Sequence, residues 1–301
     1  MLSFRNVTIK KDKQVILDDF SLDIPSGAML ALVGPDRQAR SMILDAASGH
    51  VVPDEGDVLL DGLSIYMNRE DCFDRAGYVP GLQGLPRQLR IAEYYEILLS
   101  LYRIRGRNQR VRIDEILDLL DLSEYRDAFI GDLAPDIQHL LWLGSAILHE
   151  PDWLFLEHPF QSLEQSRREQ VIGILLDLHE RGTSIVINNM PVPDLMAMAT
   201  DVAAVREGKV YIAGPLGEVY EEILRQSPVK MKILSNMDQA LAVLRKNDLV
   251  ERVTVKDNEV IFRFTGEETE EARLLSSLVD AGALVQNYMR DRLRINEMFG
   301  M

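Results

Sequence analysis

Cysteine is almost missing: Cys72 is the only one in 301 residues, so no disulfide can form within the chain and nothing ties the fold to an oxidising compartment. Long apolar runs are missing too. The longest, Leu140 to Leu148, is less than half of the roughly 20 residues that span a bilayer. The start, Met1 to Val7, has no apolar signal core. Histidine is sparse, and His50, His139, His149, His158 and His179 form no cluster with cysteine or carboxylate that spells a metal site. Positive charge is in deficit, with 33 Lys and Arg against 48 Asp and Glu and a net charge of -15. That excludes the broadly basic surface by which proteins displace counterions from nucleic acid. These absences predict a soluble, cytoplasmic chain without metal site or nucleic-acid partner. Any membrane attachment must come through another protein.

What is present is an ordinary globular composition, 47% hydrophobic and 27% charged, on a chain long enough for one large domain or two modest ones. Leu2, Phe4, Val7 and Ile9 alternate as in a half-buried strand, and Val15 to Ile24 continues the pattern after the turn Lys11-Asp12-Lys13. Ala28 to Val33 is a continuous apolar run, as in a strand covered on both faces. It stops at Gly34-Pro35, and a helical pattern follows through Met42, Ile43, Ala46 and Ala47. Residues 51–80 return to short strands and turns, and 91–150 read as mostly helical. A second buried strand, Trp153 to Leu156, precedes a helix from Glu164 to Arg181 that stops at Gly182. A third, Ser184 to Ile187, comes next, and then a hairpin about Glu207-Gly208.

Pro228 marks a domain boundary, predicting one domain over 1–227, with a helical subdomain over about 86–150, and an accessory α+β domain over 228–301. In the second domain, Glu251 to Val255 and Glu259 to Phe264 alternate across Asp257-Asn258. A helix from about Thr269 to Ala281, a strand over Ala283 to Met289 and a last short helix complete it.

From Val33 onward the order of elements resembles an ABC ATPase. The run Pro53 to Gly62, the segment Gly77-Tyr78-Val79-Pro80, the run Ala146 to Pro151 and the hairpin Arg206 to Val210 carry the resemblance, which covers about residues 1–225. It implies a P-loop NTPase-like α/β core with an antiparallel β subdomain and a helical subdomain. It also implies work as a head-to-tail homodimer or heterodimer on an integral membrane permease.

The family's phosphate loop reads Gly-x-x-x-x-Gly-Lys-Ser/Thr: glycines let backbone N–H groups approach the phosphates, the lysine reaches the terminal ones and the hydroxyl holds magnesium. Here the run is Gly34-Pro35-Asp36-Arg37-Gln38-Ala39-Arg40-Ser41, and only Gly34 and Ser41 match. Ala39 puts a Cβ where bare backbone is wanted. Arg37 has bulk enough to fill the phosphate cavity, and Arg40 keeps a charge without the compact ammonium of lysine.

The family's Asp-Glu-Pro after the catalytic strand is Glu157-His158-Pro159, so His158 stands at the position of the base. Ser41 and Glu157 are the two magnesium ligands that such a chain retains, if it binds magnesium at all. The signature Leu-Ser-Gly-Gly-Gln aligns with Leu133-Ala134-Pro135-Asp136-Ile137: no hydroxyl, no N–H at the proline, and an added negative charge. Gly81 replaces the usual glutamine, with Gln83 two residues on; Met190 replaces the switch histidine; and the adenine-stacking aromatic is Lys11 or Asp12.

Every ligand-facing motif is changed while the strand and helix pattern is kept. Three expectations result. The first is a catalytically silent subunit with a scaffold or regulatory role, with no catalytic residue and no cofactor. The second is a slow ATPase in which Arg40, Ser41 and Glu157 hold ATP and magnesium. The third is an interaction module that has left transport. Arg103, Arg105, Arg107, Arg110 and Arg112 cluster in the helical segment, which fits contact with anionic headgroups, an acidic permease loop or a solvated face. The tail, Leu293 to Phe299, is similar to that of drug- and antibiotic-exporter subunits.

Overall fold

The structure, a computed structural model, describes residues 1–80 and 84–290. They divide into a first unit, Met1–Leu216, and a second beginning at Gly217. The division falls eleven residues before the boundary expected at 227/228, because the helix after the hairpin clusters with the second unit and not with the first.

The first unit opens with β1 (Leu2–Lys11) and β2 (Gln14–Ile24), then β3 (Met29–Val33) and helix α1 (Arg37–Ala47). Next are β4 (Glu55–Leu60), β5 (Leu63–Ser64), α2 (Arg69–Phe73) and β6 (Ala76–Val79). Three helices come after them: α3 (Ile91–Leu101), α4 (Arg107–Leu119) and α5 (Pro135–Ile147). The unit closes with β7 (Trp153–Glu157), α6 (Gln165–Glu180), β8 (Ser184–Asn188), α7 (Val192–Met198), β9 (Asp201–Arg206) and β10 (Lys209–Pro215). One sheet is antiparallel, in the order β2-β1-β4-β5; the other runs β10-β9-β3-β8-β7-β6, parallel except for the edge strand β10.

The apolar runs that read as doubly covered strands are buried at every position: β3, β7 and β8 expose nothing. Their register matters for the site. Leu32 and Glu157 are both paired with Asn188, so the ends of three parallel strands bring one amide and one carboxylate side by side. In open parallel sheets that edge is where ligands bind. Helices α3, α4 and α5 form a separate layer whose buried faces are those the helical spacing predicts, with Ile113, Ile116 and Leu117 facing inward from α4.

The second unit comprises α8 (Leu216–Gln226, entering at Gly217), β11 (Val229–Ser235), α9 (Met237–Lys246), β12 (Val250–Lys256), β13 (Glu259–Phe264), α10 (Glu268–Asp280) and β14 (Leu284–Arg290). After α8 this is a β-α-β-β-α-β arrangement, with an antiparallel sheet in the order β12-β13-β11-β14. Its core joins Val229, Met231, Phe262 and Phe264 to Leu244 and Leu274. Sequence reading found the hairpin, α10 and β14 but not β11 and α9. The mixture Lys230-Met231-Lys232-Ile233 alternates only over a short span and sits next to the expected linker. The short last helix lies outside the described residues. No helix among the described residues is long and apolar enough to cross a membrane.

One packing detail of the helical layer gives a pH dependence. His149 stacks flat on Tyr102, with ring centroids 3.9 Å apart and planes 4° from parallel. Burial lowers its pKa from 6.5 to about 4, outweighing the Ala76 carbonyl and the Asp74 charge. The folded pKa lies below the unfolded one, so acid favours the unfolded chain, which takes up the proton first. Stability is therefore full above pH 6.5 and is lost as pH falls towards about 4. The loss reaches up to about 3 kcal/mol. Denaturant titrations of the wild type and His149→Phe across this range should show the extra acid sensitivity in the wild type only; equal slopes would contradict it.

Candidate functional site

The loop between β3 and α1 is shorter than a phosphate loop. Helix α1 begins at Arg37, two residues before Ala39, and only Gly34, Pro35 and Asp36 lie between strand and helix. Gly34 is held at φ 116°, and a Cβ there would stand 2.1 Å from the Val205 carbonyl oxygen. Asp36 is the N-cap: its Oδ1 accepts the Ala39 N–H at 3.0 Å, the ordinary means of satisfying an orphan donor of the first turn. Its Oδ2 accepts the Gly208 N–H of the β9–β10 turn at 3.1 Å. The N–H groups of Arg37 and Arg40 donate to the carbonyls of Pro35 and Asp36. Three of the donors that a phosphate would draw on, the N–H groups of Arg37, Ala39 and Arg40, are thus engaged within the chain, and the negative charge suited to this helix end is already supplied.

Arg40 lies one turn into α1 and is 7% exposed. Its guanidinium turns inward across the strand ends. Nη1 donates to Asn188 Oδ1 at 2.6 Å and to the Leu32 carbonyl at 3.4 Å. Burial pulls the Arg40 pKa down, and the nearby Glu157 charge opposes that shift. Asn188, wholly buried, is the hub: its Nδ2 donates to Glu157 Oε1 and Oε2 at 3.1 and 3.0 Å and reaches Ser41 Oγ at 3.4 Å. Ser41 Oγ donates to Glu157 Oε1 at 3.2 Å. Asn189 Nδ2 donates to the same oxygen at 2.7 Å and lies 3.0 Å from His158 Nε2. His158 Nε2 is itself 3.4 Å from Glu157 Oε1, at the half-open front of the cluster. His158 and Asn189 both turn through left-handed backbone, φ 51° and 58°.

Of the residues singled out from the sequence, Arg40, Ser41, Glu157 and His158 meet here, and Gly34 and Ala39 form the buried turn behind them. Arg37 does not fill a cavity as expected: it is the first residue of α1 and is exposed, because a side chain at that position points along the helix rim. The filling falls to Arg40. Met190 is buried at 8% exposure. Leu133 to Ile137 form the start of α5, with Ala134 as an N-cap lacking a side-chain hydrogen bond, Pro135 opening the helix, and Asp136 in its first turn. Leu133 and Ile137 are buried, whereas Ala134 and Pro135 are exposed. Gly81 and Gln83 lie outside the described residues, as does the tail from Leu293 to Phe299 behind the exporter-type resemblance.

Asn188, Asn189 and the capping role of Asp36 escaped sequence reading. The available signals were an amide closing a run of buried apolar residues and an aspartate three residues before a buried helical alanine. Among the described residues no group of three or more His, Cys, Asp and Glu side chains is placed to hold a metal ion.

A parallel sheet with an antiparallel β layer, a helical layer and polar groups gathered at the strand ends defines an α/β nucleotide-binding ATPase fold. Residues 17–161 match the family described as ABC transporter. The cobalt import ATP-binding protein CbiO of Rhodobacter capsulatus is 30% identical over 213 residues, covering 68% of this chain and 75% of that protein. The taurine import ATP-binding protein TauB of Pseudomonas aeruginosa is 29% identical over 197 residues, 63% of this chain and 71% of its own length. Among solved structures, an ATP-binding subunit of an ABC transporter superposes with a TM-score of 0.69 at 17% identity, covering 74% of this chain and 92% of that one. The dimer of a bacterial ABC transporter cassette gives 0.65 at 21% identity, covering 72% and 99%. The chain belongs to the ABC transporter ATP-binding proteins, a family that normally binds ATP with magnesium.

Proposed function

We propose that this chain is a catalytically silent nucleotide-binding-type subunit that acts as a scaffold or regulator on a membrane permease. One observation carries the reading: the place of the phosphates and their metal is filled by the chain's own ions. The Asp36 carboxylate takes the Ala39 N–H of α1 and the Gly208 N–H of the β9–β10 turn, and the Arg40 guanidinium lies across Asn188. A triphosphate with magnesium does not fit these residues as placed. The N–H groups of Arg37, Ala39 and Arg40 are engaged, and Glu157 already accepts from Ser41, Asn188 and Asn189. Asp136 repels the partner nucleotide from the signature side. A domain division at or near the start of α8, with an accessory α+β domain after it, completes the proposed organisation.

The permease has a place to dock. A cleft of ≈ 860 Å³ is lined by Phe73, Tyr78, Tyr94, Tyr102 and Trp142 together with Asp45 of α1. Tyr78 donates to Asp45 at 2.8 Å, tying the cleft wall to the helix that bears Arg40. A rigid α1 would present the cleft in one form whatever the nucleotide supply.

Titration calorimetry and thermal melting with ATP, with and without magnesium, test the proposal. At a hundred times its dissociation constant a ligand stabilises by about 2.7 kcal/mol, a shift easily seen. Neither heat nor shift is expected here. A second reading, a slow ATPase, draws on the contact between Ser41 and Glu157, which resembles a metal-ligand pair. Saturable, magnesium-dependent ATP binding would establish it and end the first.

A further inference from the structure

The arginine cluster of the helical layer separates into two parts. Between Glu96 and Asp114 there are five arginines and no carboxylate, in a chain of net charge -15. Arg112 is structural: its Nε and Nη2 donate to the carbonyls of Leu148 and Ile147 at 2.8 and 3.0 Å, and it pairs with Glu115 and Glu150. The C-terminal turn of α5 explains it fully. Arg103 makes one loose pair with Glu70 at 3.8 Å, with both side chains more than 80% exposed. Arg105, Arg107 and Arg110 are exposed, and among the described residues none of their side chains has a hydrogen bond or ion pair.

These three arginines stand where the fold gains nothing from them. Arg107 and Arg110 occupy the first turn of α4, whose N-cap is Gly106 without a side-chain cap, and no acidic residue lies in that turn. Cations there oppose the helix dipole. The turn is held firmly: Ile104 N–H donates to the Leu99 carbonyl at 2.9 Å, and Tyr102 is clamped by its stack on His149. Around the arginines, apolar side chains face water: Leu101 is 71% exposed, Ile97 49% and Val111 47%. Arginines interleaved with exposed aliphatic side chains, on a rigid turn, suit a surface of diffuse negative charge above hydrocarbon.

We propose that the α3–α4 turn, through Arg105, Arg107 and Arg110 with Leu101 and Val111, is a contact site for anionic lipid headgroups. It orients the subunit on the membrane beside its permease. The chain's overall negative charge does not prevent this. Glu115 and Glu150, which line the same recess as Arg107 and Val111, are paired with Arg112, and at about 0.15 M salt the screening length is about 8 Å, so carboxylates on the far side of the molecule are not sensed. An acidic protein segment would meet the same charges, but it would leave Ile97, exposed outside the large cleft, without a reason to face water. The inference does not depend on whether the nucleotide site is silent.

The test is co-sedimentation of the full chain with vesicles, either of phosphatidylcholine alone or of an equimolar mixture with phosphatidylglycerol. Each surface arginine is worth about fivefold in partitioning to anionic lipid. The wild type should sediment with the mixed vesicles only. The triple variant Arg105→Glu/Arg107→Glu/Arg110→Glu should bind roughly a hundredfold or more weakly. Arg181→Glu, an exposed arginine in another helix cap, should bind as the wild type does. Should the triple glutamate variant melt early, the neutral Arg→Gln triple replaces it with the same expectation. No binding of the wild type to mixed vesicles, equal binding to both vesicle types, or a triple variant unchanged would overturn the proposal. So would tight capture of poly-glutamate by this turn without vesicle binding, which would assign the turn to an acidic protein segment.

Discussion

Replacing Arg40 with methionine, which keeps most of its volume, should destabilise the folded chain by about 2–3 kcal/mol, the usual result of leaving buried acceptors without their donor, with the loss of a cation's influence on the buried Glu157 added. The variant leaves Glu157, 6% exposed, with neutral donors but no cation close by, and leaves Asn188 Oδ1 without its shortest hydrogen bond. Arg40→Ala should be worse by the cavity it adds. The double variant Arg40→Met/Glu157→Leu should recover most of the loss. Replacing a whole buried ion cluster by apolar groups of similar volume is often neutral, whereas removing half of it is not. Chemical denaturation of the three variants decides the matter. Single variants within about 1 kcal/mol of wild type, or a double variant no better than Arg40→Met, would mean that the guanidinium is a bystander. In an ordinary ATP-binding site the corresponding cation faces phosphate and solvent, and its removal weakens binding without such a loss of fold. The experiment therefore asks whether the charge has moved from chemistry to architecture.

The framework was legible because its signals are physical necessities of burial. Continuous apolar runs such as Trp153 to Leu156 admit few placements other than the middle of a covered parallel sheet. The site was half legible. Missing chemistry can be read directly: Ala134 carries no hydroxyl, and Pro135 no N–H. Its replacement cannot, because replacement is a matter of direction. Arg37 and Arg40 are alike in a string of letters. Only the early start of α1 at Arg37 sends the first to solvent and the second beneath the helix. Asn188 was hidden for a similar reason. Its role comes from being Glu157's neighbour across two strands thirty-one positions apart in the chain. The arginine cluster likewise divided only when Arg112 was found on the carbonyls of α5.

The two positions that a working phosphate loop fills with glycine should both lose stability when the residue present is exchanged, by unequal amounts, and this measures how far structure has taken over from chemistry. Gly34→Ala should lose on the order of 4–5 kcal/mol or more and yield little folded protein. Its φ of 116° is outside the range of L side chains, and the new Cβ would meet a backbone oxygen of β9, Val205 O, at 2.1 Å. No rotamer change relieves that contact, since both sides are main chain. The converse change, Ala39→Gly, restores the family's letter yet should cost about 1–2 kcal/mol, through helix propensity and a lost buried methyl group. Ala39 is fully buried within α1, and its N–H is held by Asp36 whether or not the Cβ is present. Nor should Ala39→Gly open the site to ATP, even combined with Arg40→Lys, while Asp36 still accepts from Ala39 and Gly208. Thermal melts of each variant with and without magnesium and ATP separate the possibilities. A tolerated Gly34→Ala would show the β3–α1 turn to be looser than its packing against β9. An Ala39→Gly variant that gained stability from nucleotide would show a phosphate cradle still latent in the sequence.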